Sequence, residues 1–208
     1  MPGKTRQRWW GDACLLLALV LAVCWPWLSP HFQWELPDAK IHLVRVYFMA
    51  DALARGDFYP RWFPDLYYGY GYPLLSFYAP GLYYLAAPLH LAGATVYAAL
   101  QWVGAACVAA GAAGTYLLGR AVTGRRESGL LAAAGYVLAP YPFLTNLYVR
   151  GAVPEAMGLG LLPWLLLAVW HGRALRRPWL ALVAVLLAAL VLTHNITALL
   201  AAACGGLW

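Results

Sequence analysis

Residues 37–80 read PDAKIHLVRVYFMADALARGDFYPRWFPDLYYGYGYPLLSFYAP. Asp38, Lys40, Arg45, Asp51, Arg55, Asp57, Arg61 and Asp65 fall inside this stretch with His42, eight of the chain's 22 Lys, Arg, Asp and Glu residues. Trp62, Phe63, Tyr67, Tyr68, Tyr70, Tyr72, Phe77 and Tyr78 are interleaved with them. The sequence on either side is almost entirely apolar. A charged, aromatic loop punctuated by Gly and Pro and held between apolar segments is the place to look for chemistry or binding.

The whole chain has 208 residues, 63% hydrophobic and 11% charged, with mean hydropathy +0.64. Soluble domains carry roughly 25% charged residues, so this composition describes a polytopic membrane protein. The pI near 9.3 does not imply nucleic acid. The basic residues come in short runs at the ends of apolar segments, which is the positive-inside pattern. Cys14, Cys24, Cys107 and Cys204 all lie in apolar stretches without metal or disulfide spacing and read as packing residues.

Outward from the loop, Lys4, Arg6 and Arg8 precede Trp9-Trp10 and an apolar run from Ala13 to Val23, closed by Trp25 and Trp27. A cleaved signal peptide is the rival reading of this short run. No small-x-small site follows it, and tryptophans at both ends fit interfacial anchors, so it is expected to span. Pro37-Asp38 opens a helix running to about Arg55, which Gly56-Asp57 ends, lying at the membrane surface. Further spans are expected at about 95–118, 130–145, 157–169 and 179–192. Residues 72–93 are long enough to cross, but Pro73, Pro80 and Pro88 interrupt them. A crossing there would move six arginines to the side opposite the N-terminus, so 72–93 are read as a broken re-entrant or interfacial helix. Nine of 14 Lys and Arg then share one side, and six of eight acids face the other. Glycines over 104–114 allow that helix to approach its neighbours closely. The final Gly205-Gly206-Leu207-Trp208 lies within an apolar run, as expected of a fragment with further spans beyond it.

This topology gathers three polar groups on one side. Asp38, His42 and Arg45 share a helix face by their i, i+4, i+7 spacing. A carboxylate beside a His and an Arg suits a general base or an anion or cation site; a helix-dipole contact with local pairing explains the same residues. The aromatic run Tyr67–Tyr72 suits stacking on sugar faces or seating at the bilayer interface. Gly69-x-Gly71 is no nucleotide loop, because Pro73 follows and neither a strand nor a third glycine is present. Tyr148, Arg150 and Glu155 form the second group, read equally as a structural pair or a functional site. His194-Asn195 is the third, costly in an apolar run unless it faces protein or water. No zinc-protease, P-loop or serine-nucleophile motif occurs.

P-D-A-x-x-H-x-x-R at 37–45, G-D-x-Y-P-R-W-x-P-D-L-Y-Y-G-Y-G-Y-P at 56–73, F-Y-A-P at 77–80, Y-x-R-G-A-x-x-E at 148–155 and L-T-H-N at 192–195 resemble the bacterial membrane proteins labelled 6-pyruvoyl-tetrahydropterin-synthase-related. No pattern of the soluble pterin synthase's zinc site is present. That family in turn resembles the GT-C class of integral-membrane glycosyltransferases. The resemblance implies an all-α polytopic fold of about five or six spans. It divides the chain into a basic start with a first span (1–28), an extracytoplasmic loop with juxtamembrane and re-entrant helices (29–94) and a helical bundle (95–208). It also implies a bacterial plasma-membrane location with a cytoplasmic N-terminus, and sugar transfer from a polyprenyl-phosphate donor to an extracytoplasmic acceptor. Binding or translocation of a lipid-linked glycan without catalysis is the alternative. By this resemblance Asp38 takes the acceptor's proton and Arg61 or Arg150 holds the donor phosphate. His42, Glu155 and His194 line the site or help to hold a divalent cation, and Tyr70 and Tyr148 contribute to substrate binding.

Overall fold

The computed structural model describes residues 2–173 and 176–205, without the side chains of 2–8, 204 and 205. The expectations for Lys4, Arg6, Arg8 and Cys204 as side chains, and for Gly206–Trp208, therefore lie outside the described residues. The described residues form eight α-helices in order: α1 (Pro2–Cys24), α2 (Ala39–Ala54), α3 (Gly81–Leu91), α4 (Val96–Thr123), α5 (Arg126–Leu138), α6 (Val153–Gly172), α7 (Arg177–Thr193) and α8 (Asn195–Gly205). A π-helical segment, Pro140–Arg150, continues α5 beyond a bend at Ala139, and a 3-10 turn spans Leu74–Ser76. The described residues form no sheet; a single bridge joins Phe63 and Tyr72.

Among the described residues three helical stretches are long and apolar enough to cross a membrane: Val96–Thr123, Arg126–Arg150 and Val153–Gly172. Trp9–Cys24 and Arg177–Thr193 are apolar but shorter, so three helices of spanning length stand where five or six spans are expected. The stretch at 72–93 holds a 3-10 turn and one short helix. Its helix, α3, has eleven residues and is about 16 Å long, half of a bilayer core of roughly 30 Å. Helix α2 forms nearly where Pro37-Asp38 and Gly56 place it, and Gly56 adopts φ +84 just beyond its end.

Helix α4 is the centre of the bundle, packed against α6, α5, α3 and α1. Its glycines are the reason it can be. A Cβ at Gly104 would meet the Trp27 indole at 2.8 Å, one at Gly111 the Phe143 ring at 2.5 Å, and one at Gly114 the Trp164 indole at 2.8 Å. Gly160 of α6 reciprocates, lying so close to the Cys107 carbonyl that a Cβ would sit 2.6 Å from it. Small residues thus form sockets for large aromatic side chains, and dispersion contacts replace the hydrophobic drive that lipid does not supply.

Trp27 departs from the interfacial role expected of it. Trp9, Trp10 and Trp25 are exposed, but Trp27 is fully buried. Its indole Nε1 donates to the Gln101 carbonyl at 2.9 Å, and Gln101 Nε2 donates back to the Trp27 carbonyl at 2.7 Å. Phe32, Trp34 and Tyr148 surround it with ring centroids 4.8–6.2 Å away. A buried side-chain amide and an indole, each donating to the other residue's backbone carbonyl, fix the chain leaving α1 onto the start of α4.

The two ends of the bundle differ in charge. At one end Asp12, buried in α1, accepts from Tyr116 and Arg126, while Arg120 donates to Tyr116 at 3.1 Å and stacks on the Trp9 ring. Arg125 and Arg126 at the start of α5 and Arg173, Arg176 and Arg177 at the α6–α7 junction belong to the same end by chain direction. The opposite end carries α2, α3, the π-helical segment and the start of α6.

Candidate functional site

Helix α2 begins at Asp38, whose backbone N–H donates to the Arg150 carbonyl at 2.8 Å. That bond fixes the start of α2 on the last residue of the π-helical segment. Gly151, at φ +72, makes the contact feasible: a Cβ there would lie 2.6 Å from the Ala39 Cβ and 2.9 Å from its nitrogen. Two chain segments 112 residues apart meet on a glycine.

Their side chains, with those of α6 and the α7–α8 junction, line a cavity of about 240 Å³. Asp38, His42, Arg45, Tyr78, Arg150, Glu155 and His194 all reach it. Five of the residues singled out from sequence, Asp38, His42, Arg150, Glu155 and His194, converge here from three distant parts of the chain. Arg61, Tyr70 and Tyr148 do not. Arg61 stands exposed beside the Tyr59 ring, Tyr70 is exposed on the turn closed by the Phe63–Tyr72 bridge (residues 63–72, the tyrosine hairpin), and Tyr148 packs on Trp27 and donates to the Val23 carbonyl.

Within the cavity the charges are unequally committed. Arg150 Nη1 donates to Glu155 Oε2 at 2.6 Å and to Asn146 Oδ1 at 2.9 Å, and Nη2 lies 3.5 Å from Asp38 Oδ2. Glu155 Oε1 accepts from Tyr141 as well, so both of its oxygens are engaged, and its side chain is 13% exposed. Asp38 is the looser carboxylate. Although it occupies the N-cap of α2 it makes no capping hydrogen bond, and its side chain is 38% exposed. Its oxygens are thus not consumed by the α2 backbone.

Burial, and then the nearby Arg45 guanidinium, push the His42 imidazole down to about 3, so it is neutral. Arg45 Nη1 donates to the Tyr83 hydroxyl at 3.1 Å, and an arginine can only donate. The same hydroxyl lies 3.1 Å from His42 Nδ1, so guanidinium, phenol and imidazole form one hydrogen-bonded chain. Burial raises the Tyr83 and Tyr78 hydroxyls. His194 is held below the usual histidine range by burial, with Glu155 acting in the opposite sense, and its Nδ1 lies 2.7 Å from Thr197 Oγ1.

Arg45 shares a helix face with Asp38 and His42, the trio whose spacing suits a general base or an ion site, and it too reaches the cavity. Asn146 and Tyr141 gave no sequence signal at all. Asn146 is fully buried: its Nδ2 donates to the Tyr141 and Pro142 carbonyls at 3.1 and 3.4 Å while its Oδ1 receives Arg150. The π-helical winding brings these groups together.

The described side chains do not by themselves make a closed divalent-cation site. Among the described residues no three His, Cys, Asp or Glu side chains are grouped to hold a metal. The guanidinium of Arg150 already lies between the two carboxylates.

The class of protein is a helical membrane protein with a charged cavity at one end of its bundle. The family model for the 6-pyruvoyl-tetrahydropterin synthase related domain, described as a membrane protein, matches residues 75–207, nearly two thirds of the chain. The chain belongs to that family. No curated protein and no solved structure matches it.

Proposed function

We propose that this is an integral-membrane glycosyltransferase acting at the extracytoplasmic face of a bacterial plasma membrane, with its N-terminus cytoplasmic. The three parts of the chain, 1–28, 29–94 and 95–208, serve as anchor, site-bearing loop and bundle. The donor is a sugar on a polyprenyl phosphate. The observation that carries the reading is the cavity itself: a half-exposed, uncapped carboxylate, Asp38, faces two guanidiniums at the end of the bundle opposite the arginine clusters. The positive-inside bias makes that end extracytoplasmic.

In the reaction, Asp38 accepts the proton of an acceptor hydroxyl as its oxygen bonds to the sugar's anomeric carbon. The bond from that carbon to the donor phosphate breaks, and polyprenyl phosphate leaves with the electron pair. A guanidinium stabilises the charge that develops on the leaving oxygen. Neutral His42 adds no charge to the site.

The test is transfer from labelled polyprenyl-phosphate sugars in membranes containing the longest natural reading frame or its Asp38→Asn variant. Loss of transfer in the variant, with expression and donor binding retained, supports the enzyme. Donor binding without transfer in either protein replaces it with binding or translocation of a lipid-linked glycan.

A further inference from the structure

We infer that Arg45 is the anion-binding group of the site, and that the groove beside it, between α2 and the tyrosine hairpin, takes the apolar chain of a phosphate-bearing amphiphile. This deepens the proposed function, because it states how its donor would be held, but it stands on separate observations.

The first observation is which cation is available. Arg150 has Glu155, Asp38 and Asn146 as partners, so an incoming phosphate would have to displace carboxylates from it. Arg61 lies outside the cavity. Arg45 has no carboxylate partner among the described residues; it is held by the Tyr83 hydroxyl and lies 4.3 Å over the Tyr78 ring. Two aromatic contacts orient the guanidinium without neutralising it, which leaves its charge for a ligand.

The second observation is what lies on its other side. Arg45 and Ile41 line both the charged cavity and an adjoining groove of about 540 Å³. One wall of the groove is the α2 stripe Ile41, Val44 and Phe48, spaced i, i+3, i+7, with Ile41 and Val44 exposed and Phe48 partly buried against the core. The other is Tyr67, Tyr68 and Tyr72. Lys40 and Asp65 also reach it; Lys40 is paired with Glu35, and Asp65 is exposed to solvent. The volume falls within the range of roughly 300–1,000 Å³ usual for ligand pockets.

The hairpin wall is held in an unusual shape. Phe63 and Tyr72 exchange two backbone hydrogen bonds of 3.0 Å, and Tyr67 and Tyr68 follow one another at φ 52 and 61. Consecutive left-handed tyrosines are costly, and such strain is kept where the surrounding structure imposes it. Polar residues on one side of Arg45 and apolar ones on the other match a ligand whose charge lies between a polar head and an apolar chain. In this orientation the head faces Asp38 and the chain runs under Tyr67 and Tyr68.

Farnesyl phosphate, farnesol and inorganic phosphate serve as probes, titrated against the protein in lipid nanodiscs. Farnesyl phosphate is expected to bind at least about tenfold more tightly than either of the others. Arg45→Gln should remove its advantage over farnesol, Arg45→Lys should restore part of it, and Val44→Trp should remove its advantage over inorganic phosphate. Unchanged affinity in Arg45→Gln overturns the assignment of the anion site; inorganic phosphate binding as tightly as farnesyl phosphate overturns the groove. A diazirine-bearing farnesyl phosphate, used on the unaltered protein, should label residues 41–48 and 66–74. Labelling confined to the lipid-facing sides of α4–α7 would also sink the idea. Farnesyl phosphate carries no sugar, so its binding at Arg45 can hold while transfer fails, and transfer can hold while this groove stays empty.

Discussion

His42 and Gly151 show how single residues set up the cavity. A buried neutral histidine is a cost that grows as pH falls. Its folded value lies near 3 and its unfolded value near 6.5, so the unfolded chain binds the extra proton between them. This contribution to stability is fully present above pH about 6.5 and is lost as pH falls from there towards 3, by at most roughly 1.4 kcal/mol per unit. Unfolding midpoints of the detergent-solubilised protein should therefore fall between pH 7 and 4, and His42→Gln should flatten that slope. An unchanged slope in the variant would assign the acid sensitivity to other groups. At Gly151 both the backbone and the space forbid a side chain. Gly151→Ala should cost about 1–3 kcal/mol and loosen the Asp38–Arg150 junction, read as a lower midpoint and faster amide exchange at residues 38–42.

At the scale of elements, the contacts of α4 with α6 and with the π-helical segment rest on absent side chains. Gly160→Ala sets a methyl 2.6 Å from a backbone carbonyl that cannot swing away, whereas Gly111→Ala meets a phenyl ring that can be trimmed. Both should destabilise by about 1–3 kcal/mol, but only the second should be rescued by a smaller partner. A double-mutant cycle of Gly111→Ala with Phe143→Leu, followed by thermal unfolding, checks this, and simple additivity would count against the socket. The π-helical segment offers a parallel case. Asn146→Leu leaves the Tyr141 and Pro142 carbonyls without their amide donor and releases one anchor of Arg150. A loss on the order of 2 kcal/mol is expected in the same unfolding assay.

For the whole molecule, the arginine clusters and the cavity lie at opposite ends of the bundle. Cysteines placed at Asp57 and Arg125, in a background with the native cysteines replaced, should be labelled by an impermeant maleimide from opposite sides of the membrane. Asp57→Cys is expected to react in intact cells and Arg125→Cys only after permeabilisation. Labelling of both from one side would reverse or break the proposed orientation.

Much of this architecture is legible along the chain, because it depends on local composition. Apolar runs bounded by arginines predict membrane helices, Pro37-Asp38 and Gly56 bracket α2, and the three prolines of 72–93 mark a stretch that forms no long unbroken helix. The i, i+4, i+7 spacing already places Asp38, His42 and Arg45 on one face. The rest required tertiary structure. Trp27 resembles its neighbour Trp25 in sequence, and only the socket at Gly104 and the exchange with Gln101 make one a core residue and leave the other exposed. Arg61 and Arg150 look equally suited to a phosphate until the fold pairs Arg150 with two acids and leaves Arg61 outside. Arg45 becomes the available cation because tyrosines, rather than carboxylates, pack around it. Periodicity and charge bias act between near neighbours, so the sequence by itself determined helices, their polar faces and the ends to which charges belong. Which charges neutralise each other depends on residues more than a hundred positions apart meeting at one glycine, and that only the tertiary structure decided.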